Sequence, residues 1–392
     1  MKNKNKLKIG IDGYQIHSGM RGMGYYVFNL IKNLYKSVDF VIFYHNKEIF
    51  EFFNKNERKN IEFAKLEFKN LDDKYIKNEF FWNIKTISDA VNRRNDLDLF
   101  HGTQNQGSII SSCAYVVTIH DLISFNIKKH FLNKEEENYY KIGVNIAAKC
   151  SNAIIAVSKN TKKDVIKFLN VESPKIKVIY NGFDKPILSQ IEIDKNKKRV
   201  FKNFGIKNDK FIFFLGEIAP KKNIIRMIQA YSKSKIKNKF DFIISGTGDK
   251  IYEDDLKKII KQLQLTNKIK IIGYLSFLEK NVFYKNATLF IFPSLYEGFG
   301  IPPLEAMSFG TPVLTSKISS LPEIVGNAGI LCDPYSVSDI KNSLNLILKN
   351  EKKLKLLSEK SKKQAEKFSW VKMANETLKL YKEVTKNYEK RF

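Results

Sequence analysis

Short apolar runs alternate with longer amphipathic stretches along the whole chain, the pattern of strand–helix–strand units around a parallel sheet. Two series are distinguishable. In the first, Leu7–Ile11, Asp39–Tyr44, Leu97–His101, Tyr115–Ile119, Ala153–Val157 and Ile176–Ile179 are predicted strands. In the second, the predicted strands are Phe211–Leu215, Phe240–Ile244, Ile269–Ile272, Thr288–Phe292, Val313–Thr315 and Gly329–Leu331. Between them, 186–209 is richly charged and poor in apolar periodicity, which predicts a linker joining an α/β domain over 1–185 to a second over 210–369. Long helical periods follow from about Ser336 and are interrupted at Lys367-Phe368-Ser369-Trp370. The last amphipathic helix, about 370–392, is expected to pack back on the first domain, with Trp370 as a packing anchor. No repeat is evident. Two doubly wound domains direct a ligand to the cleft between them, beyond the carboxyl ends of their strands, so functional residues should follow strands directly.

Composition narrows the function class. The 392 residues are 43% hydrophobic and 13% aromatic with only 9 Pro, which supports folded domains rather than disorder. The formal net charge of +27 raises the question of nucleic acid. Only 7 of the 68 basic residues are Arg, however, and the 61 Lys are spread along the chain, unlike the guanidinium-rich surfaces that read bases and phosphates. A solvated Lys-rich face without nucleic acid is the expectation, and an anionic membrane surface is a candidate partner, since each Lys near such a surface gains about 1 kcal/mol. Cys113, Cys150 and Cys332 are widely separated and form neither a disulfide framework nor a thiolate metal site. Met1–Lys8 is basic but runs straight into a strand without a signal-peptide core, and no apolar run approaches a membrane span; a cytoplasmic protein is expected.

The segment from Ile291 to Gly310 carries the most chemistry. A buried strand ends in a glycine-bearing loop and a helix, with Pro302 and Pro303 suited to the first turn and Gly310 to the position past its end. Glu297 falls in the loop and Glu305 in the first turn, with seven residues between them, so both carboxylates can converge on one ligand and accept hydrogen bonds from sugar hydroxyls. Gly298 and Gly300 let backbone N–H groups approach an anion at the helix N-terminus. A surface role remains open for each acid: dipole compensation for Glu305, an exposed loop acid for Glu297. After Phe211–Leu215, Gly216 ends the strand and Lys221 and Lys222 precede a helix at the height where a diphosphate would sit. His120 follows Tyr115–Ile119, and Asp121 can orient it or cap the next helix. Gly22 and Gly24 lie in a glycine-rich loop before a helix predicted over Tyr25–Tyr35; Gly246 and Gly248 end another strand, and Gly273-Tyr274 could reach a nucleobase. Asp96-Leu97-Asp98 has the form of a metal-chelating D-x-D but starts a strand instead of ending one, so it is expected to serve as turn and cap, with no catalytic metal.

These motifs together resemble glycosyltransferase family 4, the retaining GT-B enzymes. The likeness rests on the two acids around Gly298-Phe299-Gly300, the Pro-Leu-Glu-Ala-Met helix and Ser320-Leu-Pro-Glu-Ile-Val-Gly326. It extends through Gly22-Met-Gly24, Val117-Thr-Ile-His-Asp121, Tyr180-Asn-Gly-Phe-Asp184, Gly246-Thr-Gly248 and Phe368-Ser-Trp370. The resemblance implies a GT-B architecture of two Rossmann-like domains facing across a cleft and a metal-independent retaining transferase without a cofactor, using a nucleotide-diphosphate sugar as donor. It implies that Glu297 contacts the donor sugar's hydroxyls and His120 the transferred sugar, that Glu305 contacts the ribose, and that Gly22 to Gly24 form a donor-side or acceptor-side loop near the pyrophosphate. Lys222 matches the family's lysine. Where the family commonly has Arg after the strand-ending glycine, this chain has Glu217, and Lys221 is the candidate stand-in. The Val117–Leu122 and Glu217–Asn223 runs look like bacterial mannosyltransferases of surface-polysaccharide assembly, which implies GDP-mannose and a glycan or lipid-linked acceptor. A sugar-nucleotide epimerase of the same architecture and a basic nucleic-acid-binding protein are the alternatives.

Overall fold

The computed structural model describes residues 6–66, 85–108, 111–127, 134–184 and 189–389. Residues 1–5, residues 186–188 of the expected linker and residues 390–392 at the end of the expected C-terminal helix lie outside the described residues. The chain divides into two compact units, Met1–Gly182 with Ser369–Phe392, and Phe183–Phe368.

The first unit is built on seven parallel strands, β1 Lys8–Asp12, β2 Asp39–Tyr44, β3 Ile61–Lys65, β4 Leu99–Gly102, β5 Ala114–Ile119, β6 Ala153–Ala156 and β7 Ile176–Val178. Their order is β3-β2-β1-β4-β5-β6-β7. β4, β5 and β6 are buried at every position because helices cover both faces, which is why they read as unbroken apolar runs. β3 escapes the sequence reading because it is an edge strand whose Ile61-Glu-Phe-Ala-Lys65 carries two charged residues and buries only Ile61. The helices are α1 Gly22–Leu34, α2 Lys55–Arg58, α3 Ile87–Asn92, α4 Ile123–Asn126, α5 Lys134–Cys150 and α6 Lys159–Leu169.

The second unit repeats the plan with β8 Phe211–Leu215, β9 Asp241–Ser245, β10 Ile269–Ile271, β11 Leu289–Phe292, β12 Val313–Ser316 and β13 Gly329–Cys332, all parallel, in the order β10-β9-β8-β11-β12-β13. Its helices are α7 Gln190–Asn203, α8 Ile224–Ser232, α9 Lys250–Gln262, α10 Phe277–Asn286, α11 Ile301–Ser308, α12 Leu321–Val325, α13 Val337–Leu348 and α14 Glu351–Ala365; α15 Trp370–Glu389 returns to the first unit and packs along α1.

The expected linker over 186–209 is corrected by α7. Ser189 and Glu192 form a reciprocal capping box at its start, and Ile193, Val200 and Phe201 are buried, with Phe201 5.8 Å from Phe283 of α10. Those positions lie on one helical face, but the many lysines around them dilute the periodicity. α1 begins at Gly22 rather than Tyr25, so Gly22 and Gly24 belong to its first turn and not to the preceding loop. Trp370 is buried, and Gly182 is required beside it, since a Cβ there would collide with the Trp370 backbone.

Candidate functional site

In the second unit β8 and β11 are neighbours whose connections leave in opposite directions, which opens a crevice at their carboxyl ends. The segment after β8 turns through Pro220–Lys222 and reaches Asn223, which holds a left-handed φ of 65°. Asn223 is buried and its Nδ2 donates to the carbonyls of Pro293 at 3.0 Å and Pro334 at 2.6 Å, tying this segment to those after β11 and β13. Lys222 is thereby directed at Glu297: Nζ lies 2.5 Å from Oε1, with the side chains only 11% and 15% exposed. The ammonium also sits 5.0 Å from the centroid of Phe292 at the end of β11. Lys221 has a different partner, Glu217 at 3.3 Å. The residue standing at the family's Arg position therefore engages the lysine expected to replace that Arg.

The loop carrying Glu297 is fixed from β12. Ser319, at a φ of 61°, accepts from the Glu297 N–H at 3.0 Å and donates back to its carbonyl at 2.6 Å. Ser320 donates to the carbonyls of Glu297 and Phe299 at 2.9 and 2.6 Å. Gly300 caps α11 at a φ of 118°, a conformation costly for any other residue. Gly298 lies half-buried in the same loop.

Three expectations are corrected. Glu305 falls one residue beyond the first turn, because α11 starts at Ile301. Its carboxylate is engaged by α10, accepting from Lys280 Nζ at 2.5 Å and from the Tyr284 hydroxyl at 2.9 Å. Burial, with the adjacent Glu305 charge, pushes the Tyr284 hydroxyl well above the ordinary phenol range, so it donates. The Phe299 side chain turns inward, 5.8 Å from Phe368, and leaves only its backbone for a ligand. The glycines after β8 and β9 use their N–H groups within the protein: Gly216 donates to Ser245 O, Gly246 to Gly273 O and Gly248 to Glu253 Oε1. A Cβ on Gly246 or Gly248 would collide with Gly216 O or Ile218 O, so these glycines permit loops to zip together. The Tyr274 side chain is 78% exposed.

In the first unit the corresponding crossover lies between β1 and β4. Asp12, buried at the end of β1, accepts from Gln104 Nε2, and Gln104 Oε1 accepts from Gln15 at 2.9 Å. His120 follows β5, with its N–H donating to Asn105 Oδ1 at 2.5 Å and Nε2 2.8 Å from the Thr103 carbonyl. A carbonyl only accepts, so Nε2 carries the proton and Nδ1 is the ring's acceptor. Burial lowers the His120 pKa, which keeps the imidazole neutral. Asp121 Oδ1 accepts from Ile123 N at 3.1 Å, a turn just ahead of α4, and its charge also acts on the neighbouring His120 ring, partly opposing the effect of burial. Behind His120, the buried His101 bridges the Tyr381 hydroxyl at 2.5 Å and Thr118 at 2.8 Å, while Tyr26 joins Thr118 at 2.9 Å.

Asp98 accepts from the Lys8 backbone N–H, and Asp96 pairs with Lys8 and Arg94, so both acids sit at the amino ends of strands as turn and capping groups. Among the described residues, no cluster of three or more His, Cys, Asp or Glu could hold a metal ion. The cysteines are unpaired, and no described helix is long and apolar enough to cross a membrane. Sequence reasoning missed Asn223, Ser319, Lys280 and Tyr284 as site residues. An Asn between Lys222 and an apolar helix was a legible capping signal, whereas nothing local links α10 to Glu305.

The chain matches two family profiles in succession, Glycosyltransferase Family 4 over residues 20–185 and Glycosyl transferases group 1 over 196–364. It is 27% identical over 271 residues to O-antigen chain mannosyltransferase B of Escherichia coli, covering 68% of this chain and 70% of that protein. It is 29% identical over 268 residues to the serotype-specific mannosyltransferase WbdA of Escherichia coli, covering 66% of this chain but only 32% of that larger protein. Anabaena HepE, solved in complex with UDP and glucose, superposes with a TM-score of 0.76 at 19% identity over 96% of this chain and all of that one, a likeness of fold. With both halves matched in order and both sheets doubly wound, the chain belongs to the family 4 glycosyltransferases of the GT-B fold.

Proposed function

We propose that the protein is a retaining hexosyltransferase of surface-polysaccharide biosynthesis, moving mannose from GDP-mannose to a glycan or lipid-linked glycan at the cytoplasmic face of a membrane. The observation that carries this reading is the Lys222–Glu297 contact at the carboxyl ends of β8 and β11. There a cation suited to phosphate and an anion suited to sugar hydroxyls are held side by side. The mannosyltransferase names of the E. coli relatives support the sugar and the pathway class.

In the proposed reaction, the bond from the sugar's anomeric carbon to the diphosphate breaks. The acceptor oxygen bonds to that carbon from the same face, and the acceptor proton passes to an oxygen of the departing diphosphate. Lys222, assisted by Lys221, stabilises the charge that develops on the diphosphate, a task that needs no metal or other cofactor. Glu297 takes the donor-sugar hydroxyls and Glu305 the ribose, while neutral His120, whose ring lies 4.9 Å from that of Tyr26 on the helix that Gly22 and Gly24 begin, serves the transferred sugar.

A panel of GDP- and UDP-sugars tested by thermal shift and by nucleoside diphosphate release in EDTA checks the proposal. Stabilisation by GDP-mannose with EDTA-resistant release is expected, and UDP-glucose is the informative comparison given the Anabaena complex. Failure of every nucleotide sugar to bind overturns the reading. For the membrane contact, retention on vesicles should rise with anionic lipid and fall with salt; binding insensitive to both removes that part.

A further inference from the structure

Glu305 is held at both oxygens before any ligand arrives. Lys280 and Tyr284, four residues apart on one face of α10, donate to Oε1 and Oε2 respectively. The Lys280 and Glu305 side chains are 22% and 10% exposed, unlike surface pairs such as Lys257–Asp254 at 60% and 45%. A desolvated ion pair of this kind adds little net stability over an apolar substitute, so stability alone does not account for it. What it does supply is a fixed acceptor. Each carboxylate oxygen retains a lone pair after its contact to α10, and a carboxylate offers no donor. The ligand group that suits it is a pair of hydroxyls, whereas a phosphate would be repelled. Orientation set in advance removes part of the ordering cost of binding.

We infer that Lys280 is a positioning residue which, with Tyr284, fixes the Glu305 carboxylate to receive two hydroxyl groups of the ligand. The inference rests on the glycosyltransferase reading above and names the residue that sets its hydroxyl recognition. The hydroxyls belong either to the nucleotide ribose or to the transferred sugar, and the two sources separate experimentally.

The test measures affinity by calorimetry for GDP and UDP, for their 2′-deoxy counterparts and for GDP-mannose and UDP-glucose, using the full chain and the variants Lys280→Met, Lys280→Arg and Glu305→Gln. If ribose is the source, the wild-type protein prefers the ribonucleotide by about tenfold. Lys280→Met and Glu305→Gln should then both abolish that preference, Lys280→Arg should largely restore it, and Lys280→Met combined with Glu305→Gln should lose no more than Glu305→Gln alone. If the transferred sugar is the source, the same variants lose instead the affinity gained by the nucleotide sugar over the free diphosphate. A folded Lys280→Met protein, judged by its thermal transition, that keeps both increments overturns the inference while leaving the glycosyltransferase reading intact. Absence of wild-type binding to every one of these ligands overturns both.

Discussion

Lys221 and Lys222 are adjacent in the chain and matched by different acids, Glu217 and Glu297. The four formal charges cancel, so a diphosphate bound as proposed would meet lysines already engaged. Glu217 and Lys221 are 37% and 28% exposed, a pair worth at most about 1 kcal/mol. Glu217→Gln should therefore free Lys221 and lower the KM for the nucleotide sugar by up to about fivefold with little change in kcat; a raised KM would mean that Glu217 itself binds substrate. Glu297→Ala should reduce turnover by about a hundredfold or more, as loss of a preorganised contact to the reacting sugar does. Far-UV circular dichroism should remain native, and normal turnover would remove Glu297 from the reaction. At this scale the sequence revealed residues through their position after strands, as with Glu297, Lys222 and His120. It concealed their partners, because Lys222 with Glu297 and Lys280 with Glu305 join positions 75 and 25 residues apart that only the fold brings together.

Elements were legible in proportion to their burial. The central strands, apolar on both faces, were recognisable within a residue or two at their ends, whereas the edge strand β3 and the lysine-rich α7 were not. Neither presents more than one buried face, and charged residues fill the rest. The start of α1 was displaced because Gly22 and Gly24 look like loop residues, yet both occupy its first turn. Their surroundings differ. A Cβ on Gly22 would meet nothing within 4 Å, whereas one on Gly24 would lie 2.5 Å from both Gln15 O and Met20 Cβ. Gly22→Ala should accordingly stabilise the protein by up to about 1 kcal/mol through reduced unfolded-state freedom. Gly24→Ala should destabilise it by about 1–3 kcal/mol through overpacking. Urea unfolding distinguishes them, and equal shifts would show that Gly24 is not confined by the Gln15–Met20 turn.

Over the whole molecule, the alternation of strands and helices disclosed two doubly wound units, but not what fastens the end of the chain to its beginning. α15 belongs wholly to the first unit and lies on α1, and its Tyr381 hydroxyl meets His101 of β4 at 2.5 Å. Burial, with a smaller effect from His120, lowers the His101 pKa to about 3. In the unfolded chain the same imidazole titrates near its ordinary 6.5. The unfolded state thus binds a proton that the folded state refuses, and the penalty appears below pH 6.5 and grows until the pH approaches 3. Above pH 6.5 this residue makes stability insensitive to pH. At pH 5 it should cost about 2 kcal/mol, an effect to which the lowered pKa values of His120 and His45 add in the same direction. Tyr381→Phe should cost about 1–3 kcal/mol at pH 7.5 by leaving a ring nitrogen without its partner. His101→Gln should flatten the decline between pH 7.5 and 5 without abolishing it, because His120 and His45 remain. Urea unfolding free energies for wild type and both variants at the two pH values test this, and a wild-type value unchanged from pH 7.5 to 5 would mean that His101 takes up its proton inside the folded unit.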